Sequence, residues 1–177
     1  MRKVIHKLFL VWNYEKEEAW LNEMAAQGLA LVAVGFCRYE FEDCVPGEYK
    51  IALDYLNKSK AENQKYIEFL EETGAEHVGS IVRWAYFRKK TAEPFSIFSD
   101  NSSKIALFTN VMRVLLAVMI LNLSAFSLNI GNYFVHRDPV FLVCCINLFL
   151  AFVLLYGYWR FYKKRKKLKE EQKIFEG

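Results

Sequence analysis

Two long runs without a charged residue constrain the fold of this 177-residue chain more than any other feature. The first extends from Val114 to Val135 and the second from Pro139 to Trp159. Each has about 20 residues, which at about 1.5 Å rise per residue covers the ~30 Å hydrocarbon core of a bilayer. The alternative, a helix buried in a soluble core, is usually shorter and carries a polar stripe. The runs therefore predict two transmembrane helices, over residues 105–135 and 140–162.

The segment between the two runs is short enough to force a hairpin. It consists of residues 136–139, in which Asp138 is a good N-cap and Pro139 suits a first helical position. Two helices joined by such a turn must be antiparallel neighbours. We expect this turn to lie on the outer side of the membrane.

Charge is distributed unevenly and predicts the orientation of the hairpin. Residues 1–104 hold 14 basic and 16 acidic side chains, whereas residues 160–177 hold 8 basic and 3 acidic ones. The positive-inside bias then places both termini in the cytoplasm and the chain in the plasma membrane. No signal peptide is expected, because only five apolar residues follow the first seven.

The basic tail, residues 163–177, is expected to bind the anionic headgroups of the lipid bilayer. A stop-transfer signal alone is the alternative interpretation. The cations that we assign to headgroup contact are Arg160, Lys163, Lys164, Arg165, Lys166 and Lys167. Tyr156, Tyr158, Trp159, Phe161 and Tyr162 are expected to form an aromatic belt at the inner interface.

Two of the asparagines in the predicted spans lie well below the outer end. Asn122 and Asn147 are each eight residues below the outer end, counted from Ile130 and Pro139, so they should lie at similar depth. They are predicted to hydrogen-bond across the hairpin, or between hairpins of an oligomer, with about 0.6–2 kcal/mol per bond. Neither span contains Asp, Glu, Lys or His. Ion and proton paths usually need such groups, so a transporter is not expected.

Residues 1–90 predict a cytoplasmic α+β domain, followed by a connector over residues 91–104. The order of elements is β-α-β-β-α-β, which is typical of a ferredoxin-like sandwich with two helices on one face of a four-stranded sheet. The predicted strands are Val4–Trp12, Leu29–Phe41, Glu48–Leu56 and Glu76–Lys89, and the predicted helices are Glu15–Gln27 and Lys60–Thr73.

The other face of that sheet is predicted to be open. Strand alternation allows two registers, and a shift by one residue would exchange the two faces. In the favoured register the face combines apolar and charged groups: Lys7, Phe9, Phe36, Arg38, Asp54, Arg83 and Phe87. It is interpreted either as a solvated surface with cross-strand ion pairs or as a covered one. Coverage would come from a dimer partner, another protein or a small ligand.

The sequence predicts no catalytic residue, cofactor or metal site. The four cysteines and three histidines have no metal-ligand spacing, and no phosphate-binding or nucleophile motif occurs. The adjacent pairs Glu17–Glu18 and Glu71–Glu72 are interpreted as solvated helix faces. Nucleic-acid binding is not expected either, because residues 1–104 are net acidic and the third strand lacks the glycine and aromatics of an RNA-binding sheet.

Several phrases together resemble a known bacterial family. They are EKEEAWLNEMAAQGLAL, RYEFEDCVPGEYKIALDYL, YIEFLEETGAEHV, and WAYFRK followed by FSIFSDNSSK. The family is called domain of unknown function 2812, and the resemblance covers residues 1 to about 104. One departure is Ala75 after Gly74, where the family usually has Trp. The resemblance implies association with PadR-type repressors and an inducible response to envelope stress or toxic compounds, without an established activity.

Three function hypotheses follow from these patterns. The leading one is a non-enzymatic interaction or sensory module that acts as a homo-oligomer at the membrane. The second is a pore-like or membrane-remodelling oligomer of hairpins. The third is a membrane-surface enzyme that acts on a lipid or small molecule through Lys7, Arg38, Asp54 and Arg83.

Overall fold

The computed structural model describes residues 2–97, 101–136 and 140–175. The chain divides into two compact units between residues 99 and 100. We call residues 2–97 the amino-terminal unit and residues 101–175 the helical unit, and each is described by itself. The predicted outer turn over residues 136–139 lies almost wholly outside the described residues.

The amino-terminal unit contains six strands and two α-helices. After β1 a short 3-10 turn, Val11–Asn13, leads into α1. The elements in chain order are β1 (Arg2–His6), α1 (Tyr14–Ala26), β2 (Leu29–Gly35), β3 (Arg38–Asp43), β4 (Tyr49–Tyr55), α2 (Lys60–Glu72), β5 (Ala75–Ile81) and β6 (Trp84–Lys90). The predicted α+β class is therefore confirmed.

The strand count differs from the prediction, because two of the predicted long strands are β-hairpins. The run over residues 29–41 reverses at Phe36 and Cys37, and the run over residues 76–89 reverses at Val82 and Arg83. The result is two three-stranded sheets of order β1-β3-β2 and β4-β6-β5, instead of one four-stranded sheet. Neither turn contains the Asn-Gly or Pro-Gly signal that usually marks a reversal, so the apolar runs look continuous in sequence.

The unit is an internal repeat of one β-α-β-β motif. The second motif lies 46 residues after the first, as from Gly28 to Gly74, and both helices have 13 residues. Each helix is followed by one of these glycines with φ of 85°, a left-handed conformation that glycine adopts without steric cost. The two motifs therefore share their helix length and their helix stop.

The hydrogen-bonding registers repeat as well. In the first motif the β2–β3 pairing shifts between Leu31 and Ala33, and in the second the β5–β6 pairing shifts between His77 and Gly79. These positions are again 46 residues apart. Only the first strands differ in spacing, because seven residues separate β1 from α1 and four separate β4 from α2.

Two hydrophobic clusters hold the motifs together. The first joins α1 to both sheets, and its fully buried members include Leu21, Leu31, Phe41, Ile51 and Leu53. The second lies between α2 and the second sheet and includes Ile67, Leu70, Ala75, Ala85 and Phe87, with Phe95 and Ile97 packed against it. The second sheet is thus covered on both faces, whereas the first sheet is covered on one.

The helical unit consists of α3 (Asn101–His136) and α4 (Phe141–Phe175). Both contain segments long and apolar enough to cross a membrane, Lys104–Phe134 and Phe141–Gln172. The two helices pack against each other, with the rings of Phe108 and Phe161 5.6 Å apart. Helix α4 continues through the basic segment that follows its apolar part.

Candidate functional site

The predicted open sheet face does not form as one surface. Asp54 and Phe87 are buried, at 8% and 0% exposure, because α2 covers the side of the second sheet on which they lie. The prediction that these two residues face solvent is therefore wrong. The opposite face of the same sheet, which includes Tyr86, is buried in the first cluster.

The other predicted face residues lie towards one end of the unit. Lys7 donates its backbone N–H to the carbonyl of Cys37, which places it beside the β2–β3 turn that contains Phe36. Arg38 follows that turn and pairs with Glu40 at 2.9 Å. Arg83 lies in the equivalent turn between β5 and β6. Phe9 is half-buried against Trp20, with ring centroids 5.5 Å apart, and the ammonium group of Lys7 lies over both rings.

A buried carboxylate connects the two sheets. The Glu17 carboxylate accepts hydrogen bonds from the phenol groups of Tyr39 on β3 and Tyr86 on β6, at 2.7 and 2.6 Å. Burial and the neighbouring carboxylate raise the pKa of both tyrosines, so both phenols stay protonated as donors. The interpretation of Glu17 as a solvated helix residue is wrong, because it is only 7% exposed. Its position between the sheets indicates a structural role.

A second buried carboxylate lies beneath α2. Asp54 accepts hydrogen bonds from the Tyr55 backbone N–H and from the Tyr66 phenol, both at 2.7 Å. Burial raises the pKa of Asp54, although both hydrogen bonds act in the opposite direction. Ionised Asp54 therefore costs stability, unlike a surface carboxylate.

We expect Asp54→Asn to stabilise the protein at neutral pH relative to the wild type, and less so in acid. The folded pKa of Asp54 is raised, so wild-type stability falls as pH rises from about 4, the unfolded value, through the folded value. Asparagine keeps an acceptor and cannot ionise. Denaturation midpoints measured from pH 4 to 8 test this prediction, and a destabilisation that does not vary with pH would contradict it.

Helix α1 covers the outer edge of β4 with two side chains. Asn22 accepts from the Ile51 N–H at 3.0 Å and donates to the Ile51 carbonyl at 2.7 Å. Glu18 accepts from the Leu53 N–H at 2.8 Å. These side chains satisfy backbone groups that would otherwise be free to pair with another strand. The edge of β4 is therefore closed.

The equivalent edge of β1 is open. The bond from the Lys7 N–H to Cys37 fixes the alternation, so Lys3 and Ile5 bond to β3 while Arg2 and Val4 direct their backbone groups outward. By the register of each strand with its partner, Arg2 and Val4 correspond to Ile51 and Leu53. No described residue forms a hydrogen bond to this outer edge, and four of the five β1 residues are exposed.

The side chains on α2 that correspond to Glu18 and Asn22 bind no strand. They are Gln64 and Glu68, 46 residues further along, and Gln64 donates to Glu68 at 3.1 Å on an exposed helix face. Helix α2 packs mainly against β5. The repeat therefore leaves two unmatched surfaces, the β1 edge and the Gln64–Glu68 face of α2.

In the helical unit the two asparagines lie level with each other. Asn122 is 14 residues after Phe108 and Asn147 is 14 residues before Phe161, and those two rings are in contact. The Asn122 Oδ1 atom is buried and has no hydrogen-bond partner. The predicted hydrogen bond between Asn122 and Asn147 is not formed within this chain. A bond between the hairpins of an oligomer, the other possibility given above, stays a prediction.

The cations assigned to lipid headgroups all lie on α4. Lys163 places its ammonium group 3.7 Å from the centre of the Trp159 ring, and the guanidinium of Arg165 lies 5.9 Å from that of Tyr162. Lys166 and Lys167 face Glu170 and Glu171, one turn further on, at 3.8 Å. An apolar surface groove precedes them, lined by Phe152, Leu155, Tyr156, Tyr158, Trp159 and Tyr162. Arg160 and Lys164 lie on the same helix.

Within residues 2–97, 101–136 and 140–175, no group of three or more His, Cys, Asp or Glu side chains has the geometry of a metal site. The β1 edge and the Gln64–Glu68 face of α2 were identified from the structure and were not predicted from the sequence. A signal for the covered edge did exist, since Glu18 and Asn22 are four residues apart on one helix face. Their partners could be assigned only from the register of β4.

The comparisons with known proteins give one family. The family described as Protein of unknown function (DUF2812) matches residues 13–120, which is more than half of the chain. The searches of curated proteins and of solved structures returned no match. The match extends from the start of α1 into α3.

Proposed function

Because the chain belongs to the DUF2812 family, whose description gives no activity, we propose a function from the molecule's own surfaces. The protein is a non-enzymatic interaction or sensory module that two transmembrane helices anchor in the plasma membrane. It acts as a homo-oligomer at the cytoplasmic face. The observation that carries this proposal is the open β1 edge, which has a closed counterpart within the same chain.

The contact between α1 and β4 supplies a template for self-association. If α2 of one copy lay along β1 of a second copy, Gln64 and Glu68 would stand where Glu18 and Asn22 stand on β4. Glu68 could then accept from the outward N–H of Arg2, as Asn22 does from Ile51. Such a contact joins two different surfaces, so it builds rings or chains of copies and not only dimers.

The charges of the two surfaces are complementary. Residues 2–14, which include β1, contain three cations, Arg2, Lys3 and Lys7, and no Asp or Glu. Helix α2 contains four glutamates and two lysines. Opposite charge across an interface raises the association rate and disfavours alternative pairings, such as β1 with a second β1.

The location of the oligomer follows from the charge distribution. The excess of Lys and Arg after the second span supports a topology with both termini and the amino-terminal unit in the cytoplasm. Anchoring in one plane raises the effective concentration of the units, which strengthens the association further. We assign the assembly to an inducible response to envelope stress or toxic compounds, under the control of a PadR-type repressor.

Charge reversal tests the proposed interface. Full-length Glu68→Lys/Glu71→Lys and full-length Arg2→Glu/Lys3→Glu should each run as a monomer in detergent, because like charges then meet at the contact. A mixture of the two variants should associate again, since each basic surface finds an acidic one. Light scattering coupled to chromatography gives the masses, against 20.8 kDa for one chain.

The control for this experiment is Glu23→Lys on the exposed side of α1, which should keep the wild-type mass. A wild-type monomer would contradict the proposed oligomer altogether. Variants that keep the wild-type mass would contradict the interface.

A further inference from the structure

Both β-hairpins place a large apolar side chain in solvent at their turn. Phe36 in the β2–β3 turn is 84% exposed and Val82 in the β5–β6 turn is 96% exposed. The two residues are 46 positions apart, so they occupy the same place in the two motifs. Two independent turns with the same unfavourable feature indicate a surface that meets something apolar.

The backbone of both turns also departs from ordinary turn chemistry. Val82 has φ of 58° and Cys37, next to Phe36, has φ of 54°. This left-handed region favours glycine or asparagine, and a β-branched residue there is an outlier. A turn selected only for folding in water would carry Gly or Asn instead of Val82.

The two turns lie beside each other. Val34 Cγ2 is 3.1 Å from the position that a Cβ on Gly79 would take, and each of these residues lies within three positions of its turn. At the other end of the same strands, Arg88 donates to the Leu31 carbonyl and pairs with Glu76. Strands β2 and β5 therefore run in the same direction, and their turns form one end of the unit, which we call the hairpin end.

The surroundings of the hairpin end are apolar and basic. Lys7 and the 65% exposed Leu8 lie beside the first turn, because Lys7 bonds to Cys37. Leu56 donates its N–H to the Arg83 carbonyl at 2.7 Å, which places the exposed Lys58 near the second turn. Apolar tips flanked by exposed cations are the pattern of a surface that binds anionic lipid.

We propose that the hairpin end docks on an anionic lipid surface, with Phe36 and Val82 entering the headgroup region and Lys7, Lys58 and Arg83 contacting the headgroups. The charge of the patch and the two apolar helices of the same chain favour a bilayer over other occupants. This patch shares Lys7 with the basic residues counted beside the β1 edge, but it contains none of Arg2, Val4, Gln64 and Glu68, which make the proposed contact between copies. It therefore goes beyond the proposed self-association and can fail or hold independently of it.

Fluorescent probes at the turns test the proposal in the full-length chain. A variant without the four native cysteines receives a single environment-sensitive probe through Phe36→Cys, Val82→Cys or, as control, Val45→Cys. Val45 is 65% exposed in the loop between β3 and β4, at the opposite end of β3 from the first turn. Each protein is reconstituted into vesicles of phosphatidylcholine alone or with phosphatidylglycerol, with and without brominated acyl chains.

We expect quenching by brominated lipid to be severalfold stronger at positions 36 and 82 than at 45, and only with phosphatidylglycerol present. Lys58→Glu/Arg83→Glu should lower the quenching severalfold without a change in the denaturation midpoint of the unit. Equal quenching at all three positions, or none at 36 and 82, would overturn the proposal. A blue shift without quenching would indicate that the turns are buried against protein, such as another copy of the chain, and would overturn it too. Equal quenching in both lipids would overturn the anionic requirement.

Discussion

Replacement of Glu17 by alanine should destabilise the amino-terminal unit by about 2–4 kcal/mol, the largest effect that we expect from one polar side chain. The substitution leaves the phenols of Tyr39 and Tyr86 without their acceptor in the buried region between the sheets. It also removes a buried carboxylate that accepts a hydrogen bond from each of the two sheets. Loss of this connection should lower the cooperativity between the two motifs as well as the midpoint.

The measurement is chemical denaturation of the full-length protein in detergent, followed by tryptophan fluorescence. Trp12, Trp20 and Trp84 lie in the amino-terminal unit, and a Trp159→Phe background removes the signal of α4. Glu23→Ala, an exposed residue on the same helix, is the matched control and should change stability by less than about 0.5 kcal/mol. If Glu17→Ala unfolds at the wild-type midpoint, the carboxylate does not hold the sheets together.

The second large effect concerns the closed edge of β4. Asn22→Ala should cost about 2–3 kcal/mol, because the backbone N–H and carbonyl of the buried Ile51 both lose their partner. Glu68→Ala, at the equivalent place on α2, should cost less than about 0.5 kcal/mol, since it removes one exposed bond to Gln64. The two variants therefore distinguish the contact that Asn22 makes within one chain from the contact that Glu68 is proposed to make with another copy.

Association should respond in the opposite order. Glu68→Ala should weaken the oligomer while the fold stays intact, whereas Asn22→Ala should weaken the fold while the β1 edge and the α2 face are unchanged. Denaturation midpoints and chromatographic masses of the same two preparations give both quantities. Equal loss of stability in the two variants would contradict the assignment of different roles to equivalent positions.

Much of the fold could be predicted from the sequence because its signals are local. Both helices of the amino-terminal unit were predicted to within about two residues, since their apolar periodicity and the following Gly28 and Gly74 mark them directly. The long apolar runs likewise predicted α3 and the apolar part of α4, but not the continuation of α4 to Phe175. Even so, β1 ends at His6 and not at Trp12, because the apolar run from Leu8 enters a turn before α1.

The internal repeat could not be predicted, because it is conserved in backbone geometry and hardly in side chains. Residues 14–43 and 60–89 share only Gly28 with Gly74, Val32 with Val78, and Phe41 with Phe87. The two hairpin turns were missed in the sequence for a related reason, because Phe36 and Val82 are residue types typical of strands. One signal was available: 13 apolar-rich residues in Leu29–Phe41 exceed the usual length of a strand.

The candidate site depended on register, which a single sequence does not determine. Asp54 and Phe87 were placed on an open face because a sheet with helices on one side leaves the other free. The structure places helices on both sides of the second sheet, which buries both residues. The open β1 edge could not be predicted either. Side chains of α1 cover the outer edge of the equivalent strand β4, whereas no described residue hydrogen-bonds to the outer edge of β1.

Site-directed cross-linking between two differently tagged copies is the most direct test of the proposed contact between α2 of one copy and β1 of another. In a background without the native cysteines, one copy carries Val4→Cys and the other Gln64→Cys, and both are reconstituted full-length in one membrane. We expect a disulfide-linked mixed dimer from this pair. Neither variant alone should link, and Lys16→Cys on α1 should not link to Val4→Cys. A Val4→Cys copy that links to itself, or a Val4–Gln64 pair that stays unlinked while the oligomer persists, would contradict the account.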